Sequence, residues 1–358
     1  MPDKVELFVD KMRIDHFLSY KIDADLYTPA DCFRLELANP EAPVVAGKLC
    51  ELKINGDLEL TGIIDKVSRR VTRSEQSLII EGRDLMGLLL DFHCEQAHWK
   101  TVEGMKLKAL AEMLLVNVPF IQRKEIVYQE NVVGKLKGKK HRADAVNICE
   151  VLDTAQKIGQ IEAGMTIFEV LKNYALSRGL LFYCEPQGRL VFGRPLAKGA
   201  PEFNLRLLKN GAGNNVVESD IVTDISRRYS KVLVVGQRQG HEDDSTAADV
   251  NLPPGIALDA DFPFYKLYVA KECNDNVSPA MRARLIMEKQ RHEGLQYNYS
   301  TARHSQDRKN WRMNAFCRVI DEPQGIDGNF LIYGRTFELN KQSGPITRLR
   351  LGAPGLVI

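Results

Sequence analysis

His93, Cys94 and His98 are the nearest this chain comes to a metal cluster. Zinc takes about four ligands in a tetrahedral shell. No fourth donor stands at a matching spacing, so the three read as turn residues. Glu242, Asp243 and Asp244 are consecutive, and a strand would send such neighbours to opposite faces, so they read as solvated loop charge. A glycosidase needs two carboxylates facing each other across a cleft, and the sequence nominates no such pair. The run from Gly134 to Lys140 resembles a phosphate loop only superficially, because it lacks both the Gly-x-x-x-x-Gly-Lys-[Ser/Thr] spacing and the hydroxyl that meets magnesium. Neither a Gly-x-Ser-x-Gly elbow nor a His-Glu-x-x-His helix occurs. No catalytic, cofactor-binding or metal-binding residue is therefore assigned. No cofactor is expected, and the chain reads as a non-enzyme.

The basic side chains leave more than one reading open. Arg69, Arg70 and Arg73 form one group, and Lys135, Lys137, Lys139, Lys140 and Arg142 another. They suit a solvated face, an electropositive pore lining, an inter-subunit ion-pair surface or a nucleic-acid module. Aromatics near the second group, such as Tyr128, form no stacking series. Lys+Arg of 49 against Asp+Glu of 47 leaves +2, so no global basic field draws the chain to phosphate backbones. A hydrophobic content of 44% over 358 residues supports two or three domains with real cores. Seven cysteines, an odd number without a Cys-x-x-Cys pair, favour reduced thiols in a chain made in a cytoplasm. Val5 to Val9 follow Met1-Pro2-Asp3-Lys4 directly, with no apolar signal core. No window reaches the roughly 18 apolar residues of a spanning helix, so no membrane anchor is expected. The sequon-like Asn298-Tyr299-Ser300 then carries no meaning.

The elements that would hold these residues are mostly strands. Val5, Leu7 and Val9 alternate with polar neighbours, as do Tyr20, Ile22 and Ala24, then Phe33, Leu35 and Leu37. Cys50, Leu52 and Ile54 run into Asn55-Gly56, a tight-hairpin pair, and Leu58 and Leu60 return. The character changes after residue 90. Leu107, Leu110, Ala111 and Leu114 stand at helical spacing, as do Ala145, Ile148, Cys149 and Leu152. Thr166 and Glu169 predict a capping box, and Gly179 the end of that helix. Two strands follow, around Pro186-Gln187-Gly188. Residues 237–255, with the acidic stretch 241–245, read as an exposed loop or the seam of an insertion. Ser278-Pro279 starts a helix that Gly294 ends. From Trp311 onward strands return, with Asp327-Gly328 as a second hairpin turn.

Residues 56–80 have a partial echo at 328–351. In the first copy Gly62 precedes Val67, a polar stretch follows, and Leu78 and Ile80 resume. The second copy runs Ile332, Gly334, Leu339, a polar stretch, then Ile346, Leu349 and Leu351. Two such units far apart predict two related antiparallel β-barrel domains, in a mainly β chain with α+β modules. Residues 1–90 read as a small antiparallel barrel or sandwich, and 91–200 as a mixed α+β module.

Several short segments, in order, carry a resemblance. They are Gly62-Ile63-Ile64-Asp65-Lys66-Val67; Gly164-Met165-Thr166-Ile167-Phe168-Glu169-Val170-Leu171 with Gly179-Leu180-Leu181-Phe182; Asp224 to Val232 with Val235-Gly236-Gln237; and residues 332–339 with 347–351. Through them nearly the whole chain resembles the baseplate hub proteins of contractile-tailed, Mu-like bacteriophages. The resemblance implies a homotrimeric ring in the virion's tail baseplate, assembled in the host cytoplasm. Each subunit would contribute two related tube-type barrels, 1–90 for the first and 201–256 with 313–358 for the second, with mixed peripheral domains at 91–200 (α+β) and 257–312 (an inserted α+β domain), presenting a sixfold surface to the tail tube and a threefold surface to the central spike protein. Other baseplate proteins would be neighbours, and the channel would pass tape-measure protein and DNA. Matching barrels are the premise; ends that share a single sheet would remove it. A tail-borne cell-wall or carbohydrate-degrading enzyme is the alternative, and it predicts convergent carboxylates with raised pKa values in a concave pocket. A nucleic-acid-contacting channel component predicts a continuous basic lumen.

Overall fold

The computed structural model describes residues 3–38, 44–73, 76–99, 102–129, 160–237, 251–272, 277–340 and 344–358. The basic run 135–142, the helix expected around Ala145 to Leu152 and the acidic stretch 241–245 lie outside them.

The first strands are β1 (Val5–Val9), β2 (Met12–Ile14), β3 (Phe17–Asp25), β4 (Cys32–Leu37), β5 (Leu49–Ile54), β6 (Asp57–Val71) and β7 (Gln76–Asp84). Asn55 and Gly56, at φ 54° and 91°, make the β5–β6 turn. Their short or absent side chains tolerate this left-handed backbone, whose twist matches the flanking strands. A mixed unit follows, with α1 (Met86–Asp91), α2 (Leu107–Leu114), β8 (Val127–Tyr128), α3 (Ile167–Ser177), β9 (Leu181–Cys184) and β10 (Leu190–Gly193). Thr166 and Glu169 form the expected reciprocal cap on α3, and Gly179 follows its end at φ 66°. Leu110, Leu114, Leu171, Tyr174 and Phe192 belong to this unit's own core.

Then come β11 (Phe203–Leu207) and β12 (Val216–Thr223), followed by β13 (Lys231–Gln237), β14 (Asn251–Leu258), β15 (Leu267–Glu272) and α4 (Pro279–Gly294). Strands β13 to β15 form a separate three-stranded sheet. Ala283 and Met287 of α4 pack on Val232 and Val234 of β13. The Ser278 hydroxyl caps α4 by accepting from the Met281 amide. The chain ends with β16 (Leu295–Ala302), the short hairpin β17 (Ser305–Gln306) and β18 (Lys309–Asn310), then β19 (Ala315–Asp321), β20 (Ile326–Asn340) and β21 (Gly344–Gly352).

Most strands join one 13-stranded sheet, in the order β12-β16-β21-β20-β3-β4-β7-β6-β5-β1-β2, with β19 and β11 branching from β20. Its inner face buries one cluster that includes Leu7, Leu35, Leu52, Ile64, Phe337 and Leu351, with Trp311 stacked on Phe203 at 4.7 Å.

The expected pair of barrels is therefore wrong: among the described residues no sheet closes, and both ends of the chain share one sheet. Local alternation specifies strands and their buried face but not which distant edges meet. The deciding strand is β20. Its residues 326–332 pair with β19, residues 334–339 pair with β3 on the same side, and β21 covers the other side. A strand of 15 residues is long enough to serve both neighbours. Asp327-Gly328 is not a turn either. Both lie in the β19–β20 ladder, opposite Ile320 and Val319, and the chain reverses before them, near Gly325 at φ 69°.

Within that sheet the strand order repeats. The series β3-β4-β7-β6-β5-β1 and β12-β16-β21-β20-β19-β11 have the same connectivity, with β13 to α4 inserted in the second. One difference stands out: β1 is antiparallel to β5, whereas β11 is parallel to β19. The echo of residues 56–80 in 328–351 falls on β6–β7 and β20–β21. Each of these ladders has a bulge, after Ile64 and after Ile332.

Candidate functional site

The β3–β20 seam joins the two strand series, and both of its faces carry polar networks. On the inner face Ile22 lies opposite Phe337 and Tyr20 opposite Leu339. The Tyr20 hydroxyl meets His304 Nε2 at 2.7 Å, and His304 Nδ1 meets the Thr347 hydroxyl at 3.0 Å. Burial first, then Arg335, push the His304 imidazole down to about 4, against the pull of Asp3. The ring is therefore neutral at pH 7, one nitrogen donating and the other accepting. Arg335 donates to the Trp311 carbonyl and to Glu59, whose other oxygen accepts from Asn310 at 3.1 Å. Burial raises the Glu59 carboxyl above its ordinary range, with Arg335 opposing the rise.

On the outer face Arg350 of β21 reaches across β20 to Asp23 and Asp25 of β3, at 3.0 Å each. Gly334 makes the crossing possible. A Cβ there would lie 2.3 Å from Arg350 Nε and 2.7 Å from Asp25 Oδ2.

An acidic pair sits where the sheet meets the mixed unit, with Asp84 buried and Asp31 half-buried. The Asp84 amide donates to the Asp31 carbonyl at 2.9 Å, and Asp84 Oδ1 accepts from the Met86 amide at 3.0 Å. Burial pushes Asp84 up to about 7, and burial then the Asp84 charge hold Asp31 well above the usual carboxylate range. The adjoining cavity is only about 30 Å3, lined by Asp25, Tyr27, Phe168, Lys172 and Cys184 among others. That is room for about one water.

The larger groove, about 790 Å3, is lined by Glu59, Glu185, Arg189, Glu202, Arg312 and Arg335 among others. It is the natural place for the convergent carboxylates of an enzyme. Each of its glutamates is instead matched to an arginine: Glu59 to Arg335, Glu185 to Arg189 and Glu202 to Arg312. Among the described residues no three His, Cys, Asp or Glu side chains group to hold a metal. His93 forms an isolated bridge with Thr166, and the Cys94 carbonyl accepts from the Trp99 indole at 3.0 Å. Cys50, Cys94, Cys184 and Cys317 are buried free thiols, while Cys32 is exposed. Among the described residues no helix is long and apolar enough to cross a membrane. Arg69 and Arg70 lie on the outer half of β6, with the Arg69 guanidinium donating to the Val44 carbonyl at 3.3 Å. Sequence reading missed the seam entirely. Its polar residues sit at alternating strand positions where nothing marks them as partners across some 310 residues.

A repeated strand series, interlocked by buried ion pairs, is the architecture of a protein whose described residues serve packing and pairing. The comparisons identify its kind. Residues 4–84 match the N-terminal family of Mu phage baseplate assembly proteins described as GpP-like. The chain is similar to the baseplate hub protein gp44 of Escherichia phage Mu, 24% identical, covering 98% of this chain and 88% of that protein. Among solved structures it is similar to a tail protein from Neisseria meningitidis MC58, with a TM-score of 0.78, 26% identity and coverage of 98% and 96%. It shares the fold of the 43 kDa tail protein of prophage MuSo2 from Shewanella oneidensis, with a TM-score of 0.77, 18% identity and 98% coverage of both chains. Along nearly its whole length the chain is thus similar to Mu-like phage baseplate hub and tail proteins, with the family match itself confined to residues 4–84.

Proposed function

We propose that three copies of this hub close into a ring that adapts a sixfold tail tube to a threefold central spike. The observation that carries this reading is the repeated connectivity of β3-β4-β7-β6-β5-β1 and β12-β16-β21-β20-β19-β11. Two equivalent series per subunit give six around the axis, and their differences reduce the symmetry to three on the opposite side. The shared sheet removes separate barrels as the premise of this role, and the repeated connectivity takes their place. The single sheet fixes the angle between the series within each subunit, and the contact between subunits repeats it. Closed rings are also the common solution for homo-oligomers, and they cover sheet margins that would otherwise be open to aggregation.

The outer face of the sheet suits the wall of a channel, because its charges are balanced. Arg34 pairs with Glu81, Arg348 with Glu338, and Arg350 with Asp23 and Asp25. A wall of mixed sign gives DNA or a tape-measure protein no continuous field to stick to. The spike protein, tail tube and other baseplate proteins are the remaining neighbours in this reading, in a virion tail assembled in the host cytoplasm.

Native mass spectrometry of the full chain tests it. A species of three 40.4 kDa subunits is expected. A protein that stays monomeric at high concentration sinks the ring.

A further inference from the structure

One half-strand in each series has a different fate. In β20, residues 334–339 have β21 on one side and β3 on the other. The equivalent half of β6, residues 66–71, has β7 on one side. Among the described residues no strand lies along its other side. The strand equivalent to β3 is β12, which ends the sheet and pairs with β16 alone. The subunit thus has one β3–β20 seam within it and, at its two margins, the unmatched halves of a second.

The ladders fix how those halves would align. Superposing the bulges makes Lys66 the counterpart of Gly334 and Glu81 that of Arg350. Following the pairs outward, Glu81 meets Arg34, which meets Lys21, while Arg350 meets Asn298, which meets Asp220. Asp220 is therefore the counterpart of Lys21, and Asp224 of Asp25. Local structure supports the match. Asp25 Oδ1 accepts from the amide two residues on, at Tyr27, and Asp224 Oδ1 does the same at Ser226.

We infer that β12 of one subunit adds antiparallel to residues 66–71 of β6 in the next, with Asp220 opposite Arg70 and Asp224 opposite Lys66. The inference rests on the ring reading and names the surface that closes it. Charge is complementary at both positions, and Arg70 and Asp220 are exposed in the isolated subunit. Val67 and Ile221 stand at the rim of the main core, partly buried, where the added strand would extend it. Val71 and Val222 are 67% and 39% exposed on the same two edges.

The inner seam carries the opposite sign. There Lys21 lies opposite Glu338. A β3 placed against the wrong β6 would set Lys21 against Arg70, and a β12 against the wrong β20 would set Asp220 against Glu338. Like charges directly opposite are destabilising. The polarity of these two pairs thus enforces alternation of the two series and disfavours exchange of β3 between subunits.

The test combines cross-linking and charge reversal on the full chain. Directly opposed residues on antiparallel strands have Cα atoms about 4.5–5.5 Å apart, within disulfide reach. The double variant Arg70→Cys/Asp220→Cys is expected to give oxidant-dependent covalent species of two and three subunits on non-reducing gels, absent from either single variant. Arg70→Glu and Asp220→Arg should each raise the concentration for half-assembly about tenfold or more, and Arg70→Glu/Asp220→Arg together should recover it. Hydrogen exchange on the unaltered protein guards against misfolded variants: amides in 66–71 and 216–223 should be protected in the assembled form and exposed after dissociation. A three-subunit ring with those amides unprotected and no cross-link overturns the edge pairing while leaving the hub reading intact. A lasting monomer removes both.

Discussion

Arg335 is the residue that ties the most distant parts of the core together. It grips Glu59 on β6 and the backbone of Trp311 from a position on β20, with 4% of its side chain exposed. Removing one partner leaves a buried charge unmatched, so Glu59→Ala or Arg335→Ala should cost about 3–5 kcal/mol in denaturant unfolding, and a Glu59→Leu/Arg335→Met pair much less. The acidic pair at the joint makes a different prediction. Asp84 titrates near 7 when folded, against about 4 unfolded. Because the folded value is the higher, its contribution to stability is complete below about 4 and is lost as pH rises through about 7. Asp84→Asn should therefore flatten the fall in unfolding free energy between those limits. An unchanged slope would show that Asp84 is not the titrating group.

Strands and caps follow local chemistry closely enough to be engineered one at a time. Thr166→Ala deletes the hydroxyl half of the α3 capping box and should cost about 1 kcal/mol, read as faster amide exchange in the first turn of that helix. Gly334→Ala would force a Cβ into the Arg350–Asp25 contact and should loosen β3 from β20, seen as a lowered melting temperature with the α3 cap undisturbed. The elements that sequence alone makes legible are those whose signals lie within a few residues: the Asn55-Gly56 turn, the Thr166–Glu169 box, the Ser278-Pro279 start. The Asp327-Gly328 pair misleads because its dipeptide preference is weaker than the seven-pair ladder that absorbs it. The seam was illegible for a deeper reason. Period-2 alternation tells which way Ile22 and Phe337 face, but an edge has no sequence signature of its own partner, and β3 could equally have closed a barrel.

At the scale of the molecule the two series cannot come apart without breaking the β3–β20 ladder. Unfolding of the main sheet is therefore expected as one transition, with the Trp311 fluorescence and a probe on β4 reporting the same midpoint; separate midpoints would mean that the two series fold independently. Assembly of the proposed ring should respond to salt, because Arg70, Asp220, Lys66 and Asp224 would meet at a solvated margin. Raising ionic strength from about 0.1 to 1 M shortens the screening length from about 10 to 3 Å and should weaken the ring without lowering the subunit's own stability as steeply.

The separation between Asp23 and its partner Thr336, 313 residues along the chain, has a consequence in time. A ribosome adding about 5–20 residues per second needs roughly 15–60 s between making β3 and making the strand it must lie beside. Throughout that interval the early hairpins hold an uncovered margin, and only a finished polypeptide can hide it. Translation itself would then act as the checkpoint that keeps incomplete subunits out of the proposed ring.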